Sequence, residues 1–506
     1  MSDADVLIVG AGPTGLTLAI ELARRGTGVR IVDAAPVPHR ESRGKGLQPR
    51  TLEVLEDVGV TERALATGTT RLPFRKYFDG AHVSDTDRAA DTRPTPDAPY
   101  DTGVLIGQWQ VEEILRDRLA EFGVTVERGL EVTGFEQDEN GVTAVLADGG
   151  RIRAGRLVGC DGGRSRVRKA MGVRFDGTTE PAQSMVVGDV AAEGISRDFW
   201  HQWFTPDGGV MLCPMPGTDS FQFQAGPELD ADGEPLPPSL ESFQRIFDRH
   251  ARVPGIKLTD PTWLSVWRVN VRMVDRMRVG RVLLAGDAAH VHPIAGGLGM
   301  NTGIQDAYNL GWKLALVTAG RAAPGLLDTY EEERLPVAAW TLGISTDLYA
   351  RVLEAVKEPG TGVEAAAAPP MGTGYRWSSL AAPAGAGDPD VLRPGDRAPD
   401  APCLDASGRP VRLFQVYADP RFTLLGFGTE VADAVGKLAV EHEDLLQAFT
   451  LDTDLRDHEG HARRAYGVTD PALVLVRPDN HIALLTRDPA EVNDYLSHIA
   501  TIGPKE

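Results

Sequence analysis

The stretch DVLIVGAGPTGLTLAIELARRGTGVRIVD, Asp5 to Asp33, constrains the fold more than any other part of the chain. Asp5 to Val9 reads as a short buried strand. Thr14 to Arg25 carries apolar residues at helical spacing until Gly26 stops it, and the run GVRIVDA forms a second strand ending at Asp33. The order strand, Gly-rich turn, helix, strand is one βαβ unit of a parallel sheet, with the GAGPTG turn between its first strand and its helix. Each residue type there has a physical reason. Gly10 allows the tight turn, Gly12 lets the backbone approach a pyrophosphate, and Gly15 permits close packing of helix on strand. The helix N-terminus, opened by Pro13, attracts the anion. Asp33, 18 residues past Gly15, is placed to bind a ribose hydroxyl. The fingerprint serves NAD and FAD alike and does not choose between them.

The remaining bounds come from composition. A chain of 506 residues, 42% of them hydrophobic, can bury cores in two or three domains. Its 72 acidic and 52 basic side chains give a net charge of −20, which disfavours a polyanion-binding surface, so nucleic acid is not an expected partner. Cys160, Cys213 and Cys403 are too few for a disulfide framework and too far apart for a metal pair, which suits a reducing cytoplasm. The start MSDAD lacks a basic signal-peptide region, and no apolar run approaches the ~20 residues a membrane span needs, so no membrane association is expected.

Two further motifs carry chemistry. In RLVGCDGGRSRVRKAMG, residues 156–172, a strand ends at Cys160-Asp161-Gly162 before a basic helical segment. In LLAGDAAHVHPIAGGLGMN, residues 283–301, Gly286-Asp287 ends an apolar run and is followed by His290, His292, Pro293 and the glycines 296, 297 and 299. An i,i+2 histidine pair without other ligands does not make a metal site, and no metal is expected. The sequential occurrence of GAGPTG, Asp161-Gly162 with Arg164, Ser165 and Arg168, and Gly286-Asp287 resembles the class A flavoprotein monooxygenases. Within that class it resembles the aromatic hydroxylases related to para-hydroxybenzoate hydroxylase, and more closely the aromatic polyketide hydroxylases. The resemblance covers residues 4 to about 345.

That resemblance implies an α/β fold: a Rossmann-like FAD-binding domain of glutathione-reductase type with an inserted β-sheet substrate domain, and a C-terminal thioredoxin-like α/β domain. The boundaries it suggests are 1–175 with 280–356 for FAD, 176–279 with part of 70–105 for substrate, 357–393 as a surface linker, and 394–506 for the tail. It implies that Asp287 accepts hydrogen bonds from the ribityl chain, that Pro293 and Gly296 lie beside the isoalloxazine ring, where small Gly296, Gly297 and Gly299 allow flat approach, and that the backbone donors of Met300 and Asn301 face flavin N1 and O2. The helix beginning near Met300 would direct its positive end at the same edge. Leu298 stands where the family often has Gln. Arg43, in ESRGKGLQPRTLEVL, matches an arginine near the FAD phosphate and ribityl region. Gln108, opening a helix, matches a glutamine that reaches the flavin side chain, and Val132 would offer backbone to adenine. Asp161 and Gly162 join the cofactor set, with Arg164, Arg166, Arg168 and Lys169 available for nucleotide phosphates. NADPH or NADH is the implied reductant, although no second dinucleotide fingerprint occurs.

Residues 176–282 read as strands with turns at 206–209 and 216–217. Alternation could set Trp203, Met211, Cys213, Phe221 and Phe223 around an apolar pocket, or equally in the core of the sheet. From about Lys357 to Asp400 the chain is rich in Ala, Pro and Gly, as suits a linker draped over the surface. Beyond it lie the strands FTLLGFG and ALVLVRP, the second preceded by Asp470-Pro471. No C-x-x-C follows LLGFG, so dithiol chemistry is excluded, and packing or homodimer support is the role expected of the tail.

The mechanism implied by the family is reduction of FAD by NAD(P)H, O₂ addition at flavin C4a, and hydroxyl transfer from the hydroperoxide to an electron-rich, polycyclic aromatic substrate. No protein acid or base is identified by spacing. Two rivals share the cofactor motifs: Baeyer-Villiger oxygenation, and a non-catalytic flavin- or ligand-sequestering homologue. A flavin halogenase fits less well, because Trp263-Leu264-Ser265-Val266-Trp267 does not match its Trp-x-Trp-x-Ile-Pro motif.

Overall fold

Three glycine-containing motifs, far apart in sequence, follow the carboxyl ends of three parallel strands of one mixed sheet. The computed structural model describes residues 3–87, 89–293, 295–355, 374–383, 391–469 and 471–502. In it β1 (Ala4–Val9), α1 (Pro13–Ala23) and β2 (Val29–Asp33) form the βαβ unit. β1 pairs in parallel with β2 on one side and with Arg151–Gly159 on the other, and Arg151–Gly159 pairs in parallel with Val282–Leu284. Because Val9 is level with Gly159 and Gly159 with Leu284, the residues after each strand share the carboxyl edge. Those residues are Gly10 to Gly15, Cys160 to Gly162 and Gly286 to Asp287. Ligands of open α/β sheets bind at that edge. Val6, Leu7 and Ile8 are at most 1% exposed, as a parallel strand covered on both faces requires.

Helix α1 packs on the helix Gly299–Thr318 at very short range. A Cβ on Gly303 would stand 2.3 Å from Thr14 Oγ1, and one on Gly311 2.5 Å from the Glu21 Cβ. This contact draws the start of the second helix toward the GAGPTG turn.

The second sheet has eight strands. In order they are His290–Val291, Lys257–Val274, Phe175–Glu193, Phe221–Ala225, Gly208–Pro214, Trp200–Thr205, Phe74–Phe78 and Ala81–Thr86. Its spine is the long antiparallel pair Phe175–Glu193 and Lys257–Val274. The sequence reading of this region as strands missed the helix Leu240–Ala251, which covers one face of the sheet. Its signals were a Ser239 cap, whose hydroxyl accepts from Ser242 N, and Phe243, Ile246 and Phe247 at helical spacing.

The C-terminal sheet sets Phe422–Phe427 parallel to Leu446–Leu451 and antiparallel to Ala472–Val476, which pairs with Ile482–Thr486. Asp470, of the Asp470-Pro471 pair, lies outside the described residues, as do 357–373 and 384–390 of the expected linker. The described part of that linker corrects the expectation of a surface drape. Tyr375 and Leu380 are buried, and Ser378 Oγ donates to Glu333 Oε1 at 2.6 Å. They close over an ion network that joins the tail to the first domain. Arg477 bonds Glu333 and Asp479 at 2.6 Å each, and Lys313 Nζ bonds Glu333 at 2.6 Å. Removing one partner of such a buried set leaves an uncompensated charge, so the network specifies how the tail docks.

Candidate functional site

The three glycines of the first turn divide by what surrounds them. Gly10 has φ +104°, and a Cβ there would lie 2.3 Å from Cys160 O; one on Gly15 would lie 2.0 Å from Gly10 O. Both are glycine for the protein's own packing. A Cβ on Gly12 would meet nothing within 4 Å. Its surroundings do not demand glycine, so the requirement fits a close ligand. Pro13 stands in the first turn of α1, whose N-cap Gly12 supplies no side-chain acceptor. Asp33 accepts from Ala11 N at 2.7 Å and from Ala35 N at 2.8 Å, one bond per carboxylate oxygen, leaving lone pairs for ribose hydroxyls. Val132 begins the strand Val132–Asp138, and Leu130 N donates to Asp33 O, which sets this segment beside the acid.

The Asp161-Gly162 turn is more self-contained than the sequence suggested. Asp161 accepts from Ser165 Oγ at 2.5 Å and from Arg166 N at 2.7 Å, at the start of the helix Arg166–Met171. Arg168 is not available for a phosphate: it is buried, donates to Ala288 O at 3.0 Å and to Gly163 O at 2.8 Å, and covers the Phe175 ring at 3.8 Å. It ties this turn to the Gly286-Asp287 turn. Arg164, Arg166 and Lys169 are exposed, and Arg166 pairs with Glu131 at 3.2 Å.

Asp287 is exposed, yet desolvation by the surrounding protein pushes its carboxyl pKa up. Beside it Asp306 accepts from Gly286 N (3.0 Å), His290 Nε2 (2.7 Å) and Arg334 Nε (2.6 Å). Burial alone would raise the Asp306 pKa, but Arg334 and His290 outweigh it and hold the acid at about 2. His290 Nδ1 lies 3.2 Å from His292 Nε2, so the two histidines bond to each other. Among the described residues His292 Nδ1 is buried without a hydrogen-bond partner, and desolvation lowers the pKa of this ring to about 3. Among the described residues no three His, Cys, Asp or Glu side chains group as a metal site.

The following turn is built of backbone. Gly296 and Gly297 adopt φ +78° and +62°, which explains glycine at both. Gln48 Nε2 donates to Gly296 O at 3.0 Å, and Asn301 accepts from Gln48 N and donates to Gly297 O. Pro293 is buried. A Cβ on Gly299 would lie 3.7 Å from His292 Cδ2 and 3.9 Å from Asp287 Oδ1, which places that glycine between the two. The helix starts at Gly299, with Leu298 at its N-cap and no side-chain cap, so backbone N–H groups of the first turn, including Met300 and Asn301, can receive an acceptor. Gln48 had no signal in the sequence beyond its place in ESRGKGLQPRTLEVL.

Arg43 is exposed and pairs with Glu41 at 2.6 Å. Gln108 N donates to Gly44 O at 2.9 Å, so the chain after Arg43 does meet Gln108. The Gln108 side chain donates to Glu112.

The substrate-pocket set splits between the two faces of its sheet. Trp203, Phe221 and Phe223 are corrected: they belong to the core under the helix Leu240–Ala251, with Trp203 edge-on to Phe247 and Phe223 stacked on Phe243 at 4.2 Å. Strand parity is the reason, since Val210 and Leu212 share that core and their neighbours Met211 and Cys213 therefore point the other way. Met211 is level with Gln224 and Gln202, and Cys213 with Gln222. This second face meets the first domain through Ser42 and Lys45.

Open space at Gly12, an accessible and desolvated Asp287, free lone pairs on Asp33 and an uncapped helix start together fit the phosphates and polyol of a flavin dinucleotide. The comparisons agree. The FAD binding domain description matches residues 3–343, and that of the aromatic-ring hydroxylase C-terminal domain matches 392–501. A flavin-dependent monooxygenase of Mycobacteroides abscessus is 44% identical, covering 98% of this chain and 99% of its own. The 6-methylpretetramide 4-monooxygenase of Streptomyces rimosus is 35% identical over 94% and 90%. The structure of aklavinone-11 hydroxylase with FAD and aklavinone superposes with a TM-score of 0.82, at 28% identity and 99% coverage of both chains.

Proposed function

Because the chain belongs to the FAD-binding aromatic hydroxylases, a family of flavin-dependent monooxygenases, we propose that it hydroxylates a polycyclic phenol with NAD(P)H and O₂. FAD, when bound, supplies the redox chemistry that splits O₂: one oxygen atom enters the ring, the other leaves as water, and NAD(P)H with a proton provides the electrons.

The protein's share is placement. Gly12, Asp33 and the α1 N-terminus would hold the dinucleotide end, and Asp287 the polyol. Pro293, Gly296, Gly299 and the N–H groups of Met300 and Asn301 would offer backbone to the ring. The observation that carries the reading is the place of Lys45. Its carbonyl is 3.9 Å from where a Gly297 Cβ would stand, and its side chain bonds the inner face of the second sheet. The backbone turn and that sheet face therefore adjoin one site. Support for a polycyclic substrate comes from the relatives named for acting on 6-methylpretetramide and aklavinone.

The test is NADPH oxidation by the FAD-loaded protein in air, with and without polycyclic phenols, with product mass read in the same samples. Stimulated oxidation with a gain of one oxygen is expected, and product structure separates ring hydroxylation from insertion beside a ketone. Tight binding without stimulated oxidation or product would replace the proposal with ligand sequestration.

A further inference from the structure

A half-buried lysine with no anion paired to it among the described residues stands at the junction of the two domains. Lys45 lies in the short strand Lys45–Leu47, paired with Val104–Gly107. Its side chain crosses to the second sheet, where Nζ donates to Gln222 Oε1 at 2.5 Å and to Gln224 Oε1 at 3.3 Å and sits 4.0 Å from the centre of the Trp200 ring. All these partners are neutral. Among the described residues Lys45 forms no ion pair. The carboxylate that acts on it electrostatically, Asp189, is engaged by Ser42 N at 2.9 Å and by Ser42 Oγ.

An ammonium taken out of water without a counter-ion is costly, and amide oxygens with an indole face compensate it only in part. Desolvation accordingly lowers the Lys45 pKa, with Cys213 and Asp189 opposing. The residue nevertheless keeps some accessible surface. A cation that is accessible, enclosed and unpaired is complementary to an anionic ligand entering from the accessible side.

Given the hydroxylase reading, on which the next step rests, we propose that Lys45 binds an ionised oxygen of the substrate, a phenolate or enolate, and so sets which aromatic compounds are accepted. Ionising a phenol raises electron density at the ring carbons beside and opposite the oxygen, the positions an electrophilic oxygen attacks. Lys45 supplies the charge that stabilises the ionised form in place, and no covalent step is asked of it. The substrate is then an aromatic compound whose acidic hydroxyl reaches the face formed by Trp200, Met211, Cys213, Gln222 and Gln224.

The experiment uses the full-length FAD-loaded protein and 1,8-dihydroxyanthraquinone, whose visible band moves on ionisation. Bound to the wild type, the probe should titrate about one unit below its value in free solution, and Lys45→Met should abolish that shift and bind up to about ten-fold more weakly at a pH where the free probe is fully ionised. Lys45→Arg should keep most of the shift. Lys45→Gln, which can still hydrogen-bond the glutamines, should behave like Lys45→Met and serves in its place if the methionine variant loads no FAD. Flavin absorbance and melting temperature report integrity in each case. Equal affinity and equal ionisation in the neutral variants would make Lys45 a mere tether between strand and sheet and overturn the proposal, as would a wild type that binds the probe only as neutral phenol or not at all. The hydroxylase reading fails separately: Lys45-dependent ionisation with no oxygenated product from any phenol would remove the oxygenase and leave the anion site.

Discussion

The region proposed for the cofactor and the sheet face proposed for the substrate adjoin each other but are made of different material. The first is mostly backbone: glycines that admit close approach and N–H groups of two helix starts, with the carboxylates of Asp33 and Asp287 beside them. The second is side chains alone, sorted onto a face by strand parity. A backbone site is specified by a few residues close in sequence, since turn and helix geometry follow locally. A side-chain site on a sheet depends on which residue of a distant strand stands level with which.

The sharpest way to break this contrast is at the glycines. Gly10→Ala places a Cβ 2.3 Å from the Cys160 carbonyl at a positive φ, so insoluble or unfolded protein is expected. Gly12→Ala meets open space; the fold should survive, with a melting temperature near that of the apoprotein, while FAD affinity falls about 100-fold, or about 2.7 kcal/mol. Soluble yield checks the first and flavin titration of the purified apoprotein the second, and a Gly12→Ala protein with unchanged affinity would remove the close-approach role.

Between the two faces of the sheet the contrast is thermodynamic. Phe223→Ala should cost about 3–5 kcal/mol in urea unfolding, because the ring is buried and stacked on Phe243. Met211→Ala, on the half-buried opposite face, should cost under about 2 kcal/mol and act mainly on the KM for the aromatic substrate. If Met211→Ala left KM unchanged, that face would lose its standing as the substrate side.

The smallest effect is a pH slope. Burial holds the His292 pKa at about 3, below its unfolded value of ~6.5. The unfolded ring therefore takes up a proton the folded ring refuses, and stability present above pH 6.5 is lost as the pH falls toward 3. Between pH 8 and pH 5 His292 should account for about 2 kcal/mol of that loss. His292→Phe should flatten the urea midpoints over this range, and an unaltered slope would place the proton uptake elsewhere.

Particular residues mark how far the sequence could be read. The βαβ unit was legible because each signal lies within a few residues of its effect, and β1, α1 and β2 formed where the pattern put them. The glycine turn after Pro293 was legible for the same reason, with Gly296 and Gly297 at positive φ. Arg168 was misread because its acceptors, Ala288 O and Gly163 O, come from turns joined only by the sheet edge. Trp203, Phe221 and Phe223 were placed with Met211 and Cys213 because composition says apolar without saying which side. The covering helix Leu240–Ala251 decides that, and it was not foreseen.

By itself, then, the sequence determined the nucleotide-binding unit, the flavin-hydroxylase motifs and the absence of a dithiol in the tail, all of which follow from local geometry or residue identity. Tertiary structure decided which sheet face meets the first domain, how Tyr375 and Arg477 fasten the tail to it, and that Lys45 has no counter-ion among the described residues. Those outcomes depend on strand register and on burial between segments distant in the chain, and the cost of a buried charge arises only once the surrounding water has been excluded.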